Sequence, residues 1–115
     1  MRSATGRVFA SYLPEAVVQP LIEKADQAHT HLTWKEFVPL KQHILQQEMC
    51  VIEGDMMAGI NAIAAPVFDA NNDVVFVVTC LGSADKISAE PQGTHAQAVL
   101  QAARTISAHL GQHRS

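Results

Sequence analysis

One pair of carboxylates is spaced for chemistry, Glu53 and Asp55 on either side of Gly54. Two carboxylates this close can act as a general acid and a general base. Acidic residues beside a glycine are also typical of a solvated turn, where they accept hydrogen bonds from the backbone or from a ligand. We favour the second role, because no acid, base and nucleophile converge in the sequence.

Histidine forms no recognisable metal motif. His29 and His31 lie in a polar stretch without a nearby cysteine, and a glycine that ends the last predicted helix separates His109 from His113. Neither pair resembles the ligand pattern of a zinc site. We therefore predict no bound metal.

Cysteine gives no catalytic signal either. Cys50 and Cys80 lie in predicted strands without the histidine or cationic neighbour that marks a nucleophile, so we interpret them as reduced core thiols. The chain also lacks a G-x-S-x-G elbow, a glycine-rich phosphate loop and a Ser/His/Asp pattern. We expect a protein that is not an enzyme and has no cofactor, with a small enzyme as the last-ranked alternative.

Two apolar runs, residues 60–68 and 74–81, hold the remaining polar candidates. Runs rich in Val, Ile and Phe around a polar Asn/Asp segment are typical of a β-hairpin. Both faces of each run are apolar, so we expect the hairpin to be covered on both sides. Asn61 and Thr79 are polar side chains inside it, and for Asn61 a structural role is favoured over a ligand contact.

Helical patterns surround the hairpin. Ser3 is placed to cap a first helix, and Pro14 suits the start of a second. The segment Thr33–Glu36 matches a capping box, whereas Pro39 fits a later start of the same helix; we favour the start at Pro39 and leave the earlier turn open. A similar signature at Thr94 predicts the start of the last helix. The predicted helices are residues 3–13, 14–25, 39–47 and 94–110, and the predicted strands are 49–52, 60–68 and 74–81.

Composition describes one small folded domain over residues 1–115. The chain has 48% apolar and 17% charged residues and a formal net charge of −3. This charge gives no electrostatic reason to approach nucleic acid or an anionic membrane. No apolar run is long enough to span a bilayer, and no signal-peptide pattern is present, so we expect a cytoplasmic protein.

Three stretches together resemble the effector-binding domain of IclR-type transcriptional regulators, named for the isocitrate lyase regulator. They are residues 3–10 (SATGRVFA), 59–69 (GINAIAAPVFD) and 103–111 (ARTISAHLG). The middle stretch is the most specific. The resemblance covers nearly all of this chain but about two-thirds of the family's effector domain, without its first strands or its winged helix-turn-helix.

The resemblance implies an α/β (α+β) fold of GAF or profilin type, with a central antiparallel sheet packed with helices and N-terminal strands missing. It also implies a small-molecule pocket on one side of the sheet. In the family, backbone amides at the start of the first helix hold the effector's carboxylate, here those of Ala4 and Thr5. A helix N-terminus favours an anion on physical grounds as well.

Other ligand positions of the family fall on Ile52, Ala62, Thr79 and Leu81, with Glu53 and Asp55 beside them. Family members that bind very small keto acids tend to carry Asp, Cys, Ser and Ser at the first four positions. This pocket is less polar than theirs, which favours a larger and partly apolar organic acid.

Such a pocket requires Ala62 and Thr79 on one face of the hairpin. If all of residues 69–73 form the loop, Phe68 pairs with Val74, and Ala62 and Thr79 lie on opposite faces. If Phe68 instead pairs with Asp73, the two residues share a face. We predict the second register, with Ile63, Val67, Val78 and Phe76 filling the opposite face.

We therefore predict a small-molecule sensing domain of an IclR-like regulator that does not itself bind DNA. The alternative is a self-associating interaction module with no ligand of its own, because the missing strands leave an open sheet edge. Both hypotheses predict a homo-oligomer, a dimer or a tetramer.

Overall fold

Four helices and three strands make up the part of the chain that the computed structural model describes, residues 3–26, 33–54 and 59–112. Their order and the mixed α/β class are those predicted. No helix in these ranges is long and apolar enough to cross a membrane. The elements are α1 (Ala4–Tyr12), α2 (Glu15–Asp26), α3 (Trp34–Gln47), β1 (Cys50–Glu53), β2 (Ile60–Phe68), β3 (Val74–Ser83) and α4 (Thr94–His109).

The two predicted caps near the N-terminal half are confirmed. The Ser3 hydroxyl accepts a hydrogen bond from the Gly6 N–H at 3.0 Å. Thr33 and Glu36 form a reciprocal capping box, so α3 begins at Trp34. The favoured start at Pro39 is therefore wrong: the earlier start is observed, and Pro39 lies inside the helix.

The predicted capping box at Thr94 is wrong. Gly93 is the N-cap of α4, and it makes no side-chain cap hydrogen bond. Thr94 is the first helical residue instead, one position too late to act as the cap.

The three strands form one antiparallel sheet in the order β1-β2-β3. β2 is the central strand, and its residues 61–68 are all buried. Helices α1 and α3 cover one face, here called the α1 face, and α4 covers the other, the α4 face. The α1 face is built around Ala4, Val8, Ile44, Cys50, Ile52, Ala62 and Ala64, and the α4 face around Met49, Ile63, Ala65, Val67, Ala96, Val99, Leu100 and Ala103.

The observed register of the hairpin shares one feature with each predicted alternative. Phe68 pairs with Val74, so the predicted pairing of Phe68 with residue 73 is wrong. A β-bulge between Val67 and Phe68, with Val75 as the extra residue of β3, then shifts the rest of the ladder. Beyond the bulge residue 62 pairs with residue 81 and residue 64 with residue 79. The prediction that Ala62 and Thr79 share a face is therefore confirmed.

Pro66 in the central strand is explained by the short length of β1. Proline has no N–H to donate, which normally excludes it from the middle of a sheet. The Ile60 carbonyl accepts from the Gly54 N–H, so the even-numbered residues of β2 direct their backbone groups toward β1. Pairing with β1 ends at Ala64, and Pro66 lies beyond it. The missing N–H would have had no strand partner.

β3 departs from the predicted burial. The expectation that both strands of the hairpin are covered on both sides holds for β2 and is wrong for β3. Phe76 is 61% exposed and Leu81 66% exposed, so Phe76 does not fill the α4 face. β3 lies at the end of the sheet, and both helical layers are centred on β2.

Candidate functional site

The start of α1 meets β3 through a pair of threonines. The Thr5 and Thr79 hydroxyl oxygens lie 2.7 Å apart, with either able to donate. The Ser3 hydroxyl accepts the hydrogen bond of the Gly6 N–H. The N–H groups of Ala4 and Thr5 have no acceptor within α1, because they belong to its first turn. Two helix N-terminal donors and a hydroxyl pair therefore occupy one corner of the molecule.

Small and apolar residues surround this corner. Ala4, Ile52 and Ala62 pack in the cluster of the α1 face and are 2%, 4% and 8% exposed. Leu81 pairs with Ala62 and stands on the same face at the outer edge of the sheet. The structure thus brings together most of the residues predicted from the sequence, which are Ala4, Thr5, Ile52, Ala62, Thr79 and Leu81.

The two predicted carboxylates do not join this group. Glu53 pairs with Asn61, which places its side chain on the α4 face rather than on the α1 face. Asp55 lies outside the described residues. The structure therefore gives no support for a carboxylate pair in this corner.

Cys50 lies on the α1 face next to Ile52 and is 5% exposed. Burial raises the pKa of its thiol from 9.0 to about 11, although the nearby Arg7 guanidinium opposes this shift. The thiol is protonated at neutral pH, so it fits the predicted packing role rather than that of a nucleophile. Both cysteines are free.

Asn61 has the structural role that the sequence favoured. It is 4% exposed, and its amide donates to the Ile87 carbonyl at 2.7 Å. Gly82 pairs with Asn61, and a Cβ atom at Gly82 would lie 2.7 Å from Ile87 Cγ1. Because Gly82 has no side chain, the Ile87 side chain can lie against it while the Ile87 carbonyl accepts the hydrogen bond from Asn61. This arrangement fastens the segment after β3 to the α4 face.

His95 and Ser107 have roles that the sequence analysis missed. The Ser88 N–H donates to His95 Nδ1 at 3.0 Å, which holds the same segment against α4. Ser107 is 1% exposed, accepts from the Phe68 N–H at 2.9 Å and donates to the Ala103 carbonyl at 2.8 Å. Its spacing from the buried Ala103, four residues along the helix, was the available signal.

A concavity lies beside β1. It has a volume of ≈ 200 Å³ and lies between α1, α3 and β1, with Arg7, His43, Cys50 and Glu53 in its lining. Of the residues predicted to bind ligand, only Glu53 lines this concavity. No group of three or more His, Cys, Asp or Glu side chains in the described ranges could hold a metal ion. His29, His31 and His113 lie outside those ranges.

The model of a family described as bacterial transcriptional regulator IclR C-terminal matches residues 1–108. An uncharacterized HTH-type transcriptional regulator of Escherichia coli K12, RhmR, is 29% identical over 121 residues, covering 96% of this chain and 44% of that protein. HmgR of Pseudomonas aeruginosa is 35% identical with a TM-score of 0.89, covering 100% of this chain and 46% of that one. The chain thus spans less than half the length of these two proteins.

A third similar structure is the inducer-binding domain of PobR from Acinetobacter, a double mutant in complex with 3-hydroxybenzoic acid. It is 20% identical with a TM-score of 0.74, and the match covers 96% of this chain and 66% of that one. At this identity the likeness concerns the fold alone. The proteins found in these comparisons are transcriptional regulators rather than enzymes.

Proposed function

The chain belongs to the IclR C-terminal family of bacterial transcriptional regulators, and we propose that it is a sensing domain that binds a small organic acid. The acid binds where α1 begins, between that helix and β3. Ala4 and Thr5 hold its carboxylate through their backbone N–H groups. Thr79 contributes a hydroxyl, and Ile52, Ala62 and Leu81 contact the rest of the molecule.

The observation that carries this proposal is the 2.7 Å contact between the Thr5 and Thr79 hydroxyls. It joins the helix N-terminus to the strand at the residue that the resemblance assigned to the ligand. The N–H groups and the dipole of a helix N-terminus favour a carboxylate. A hydroxyl pair next to them can reorient to donate to the same anion, since either oxygen can act as the donor.

The surroundings favour an acid with an apolar body. Ile52 and Leu81 present only hydrocarbon, and Ala62 beside them is small and apolar. Binding sites of this kind are mostly apolar with a few placed polar groups. The bound 3-hydroxybenzoic acid of the PobR domain has this character, with a carboxylate and one hydroxyl on a ring.

Ligand binding regulates the protein by shifting the populations of its associated states. A ligand that binds one arrangement of associated domains more tightly than another moves the equilibrium toward it. We place this sensing step in a cytoplasmic homo-oligomer, and we place DNA binding outside these 115 residues, whose formal net charge is −3.

Thermal unfolding in the presence of candidate acids tests the proposal. We expect 3-hydroxybenzoate and related aromatic acids to raise Tm, because a ligand at a hundred times its Kd stabilises the folded state by about 2.7 kcal/mol. Glyoxylate should have a smaller effect. Thr79→Val keeps the shape and removes the hydroxyl, so it should weaken the response, whereas Thr105→Val, at an exposed position of α4, should not.

Two outcomes would contradict the proposal. The first is a Tm that no small carboxylic or aromatic acid raises. The second is a ligand-induced rise in Tm that is as large in Thr79→Val as in Thr105→Val.

A further inference from the structure

Asn61 has a buried oxygen atom that receives no hydrogen bond from the described residues. Its amide nitrogen donates to the Ile87 carbonyl at 2.7 Å, and because a carbonyl can only accept, the other end of the amide is the oxygen Oδ1. Asn61 is 4% exposed, and no described residue donates to Oδ1. A buried acceptor in this state is destabilising until a donor reaches it.

A cavity of ≈ 460 Å³ lies beside this side chain, and we call it the Asn61 cavity. Its wall is formed by Glu53 at the end of β1, residues 84–86 and 88–91 after β3, and His95 near the start of α4. It lies on the α4 face, whereas the start of α1 lies on the opposite face of the sheet. It is therefore separate from the site proposed for the organic acid.

Glu53 is the closest cross-strand neighbour of Asn61. The Gly54 N–H donates to the Ile60 carbonyl, so the adjacent pair, Glu53 and Asn61, is a non-hydrogen-bonded pair of the antiparallel ladder. Side chains are closest at such pairs, where the Cα atoms are about 4.5 Å apart. A carboxylate and an amide oxygen therefore lie side by side, and one ligand group with two N–H donors can reach both.

The Asn61 cavity is acidic. Glu53, Asp85 and Glu90 contribute three carboxylates to its lining, against the one ammonium group of Lys86. His95 adds no charge while its Nδ1 atom accepts a backbone hydrogen bond. Among the described residues, no salt bridge occupies any of the three carboxylates. The cavity thus attracts a cation.

The geometry favours an organic cation over a metal ion. In residues 3–26, 33–54 and 59–112, no three His, Cys, Asp or Glu side chains are close enough together to hold a metal. The volume of ≈ 460 Å³ falls within the range of small-molecule sites, about 300–1,000 Å³. An organic cation also carries the N–H donors that an amide oxygen requires.

We propose that the Asn61 cavity binds a small organic cation with N–H donors, a primary ammonium or a guanidinium. The cation donates to Asn61 Oδ1 and to the Glu53 carboxylate, and these charge-assisted hydrogen bonds fix its position. Oδ1 lies just below the surface, so the cation displaces the exposed side chains of Glu53 and Lys86, which change rotamer rapidly. The site differs from the organic acid site in the charge of its ligand and in the face of the sheet.

An NMR titration with two matched cations tests the role of the N–H donors. Butylammonium and butyltrimethylammonium have the same charge and the same alkyl chain, but the second has no N–H group. We expect butylammonium to cause saturable shifts in the Asn61 side-chain amide signals and in the backbone amides of Glu53 and Asp85. Methylguanidinium should shift the same signals, and butyltrimethylammonium at equal concentration should not.

Glu53→Gln tests the carboxylate. It keeps the size of the side chain and removes its charge, and because Glu53 is exposed we expect the variant to fold normally. Butylammonium should bind about tenfold more weakly, since a hydrogen bond to a charged acceptor is stronger than one to a neutral acceptor. Glu23→Gln is the matched control, because it removes the same charge from an exposed position of α2 and should leave the affinity unchanged.

Four results would overturn the proposal. The first is a set of shifts from butyltrimethylammonium as large as those from butylammonium. The second is equal affinity for butylammonium in Glu53→Gln and Glu23→Gln. The third is saturation of the same signals by Ca²⁺ and not by butylammonium, which would assign the cavity to a metal ion. The fourth is no saturable shift with butylammonium or methylguanidinium, which would leave water as the donor to Asn61.

Discussion

Replacing Ser107 with alanine tests how α4 holds the bulged end of the hairpin. The Ser107 hydroxyl accepts from the Phe68 N–H at 2.9 Å, next to the bulge that sets which face Thr79 occupies. Both residues are buried, at 1% and 9% exposure. Ser107→Ala leaves the Phe68 N–H without a partner where water does not reach it.

The expected loss of stability follows from this unsatisfied donor. A buried donor that loses its partner costs about 1–3 kcal/mol. The higher helix propensity of alanine returns at most about 0.7 kcal/mol. We expect the free energy of unfolding to fall by about 1–2 kcal/mol, which lowers Tm by roughly 4–8 °C for a chain of this size.

Urea and thermal unfolding, followed by circular dichroism, measure this change. Thr105→Ala is the control, because it removes an exposed hydroxyl from the same helix. The account of the bulged end is refuted if Ser107→Ala is as stable as Thr105→Ala.

Three further variants test other local claims. The pKa of the Cys50 thiol is raised to about 11 in the folded chain, so its contribution to stability is complete below pH 9. As the pH rises from 9 to 11, the free energy of unfolding should fall by about 2–3 kcal/mol. Cys50→Ala should remove that part of the alkaline loss when urea unfolding is measured at a series of pH values. Thr33→Ala removes the capping hydroxyl of α3, and we expect it to lower the free energy of unfolding by about 1 kcal/mol, whereas no change would contradict the capping role. Gly82→Ala places a Cβ 2.7 Å from Ile87 Cγ1, so we expect it to lower the free energy of unfolding by about 1–3 kcal/mol. A melting curve that matches that of the unaltered chain would contradict this expectation and show that Ile87 moves freely.

The sequence predicted the elements that depend on local rules. The bounds of β2 match the apolar run 60–68, and Ser3 and Thr33 act as caps because their side-chain oxygens need only the next helical turn. The capping residue of α4 was predicted wrongly, although the helix begins at Thr94 as predicted, because Gly93 can cap a helix without any side-chain signal.

Tertiary contacts account for what the sequence could not predict. No residue type in the sequence marks the bulge at Val75. The predicted pairing of Phe68 with Asp73 was therefore wrong, although Ala62 and Thr79 do share a face. In α4 the apolar Ile106 is 40% exposed, whereas the polar Ser107 is buried because it binds the Phe68 N–H. Local patterns cannot show such a partner.

The candidate site shows the same division. The family resemblance indicated Thr79 and the start of α1, and the structure added the contact between Thr5 and Thr79. Glu53 lies on the α4 face because the register of β1 against β2 decides its orientation. A short strand with a carboxylate at its end gives no indication of that register.

Chemical-shift mapping by NMR tests most directly the claim that an organic acid binds between α1 and β3. On titration with 3-hydroxybenzoate, the amide signals of Ala4, Thr5, Ala62 and Thr79 should shift most, and these shifts should disappear in Thr79→Val. Shifts centred on His43 and Glu53, which line the cleft beside β1, or no shifts with any acid, would contradict it.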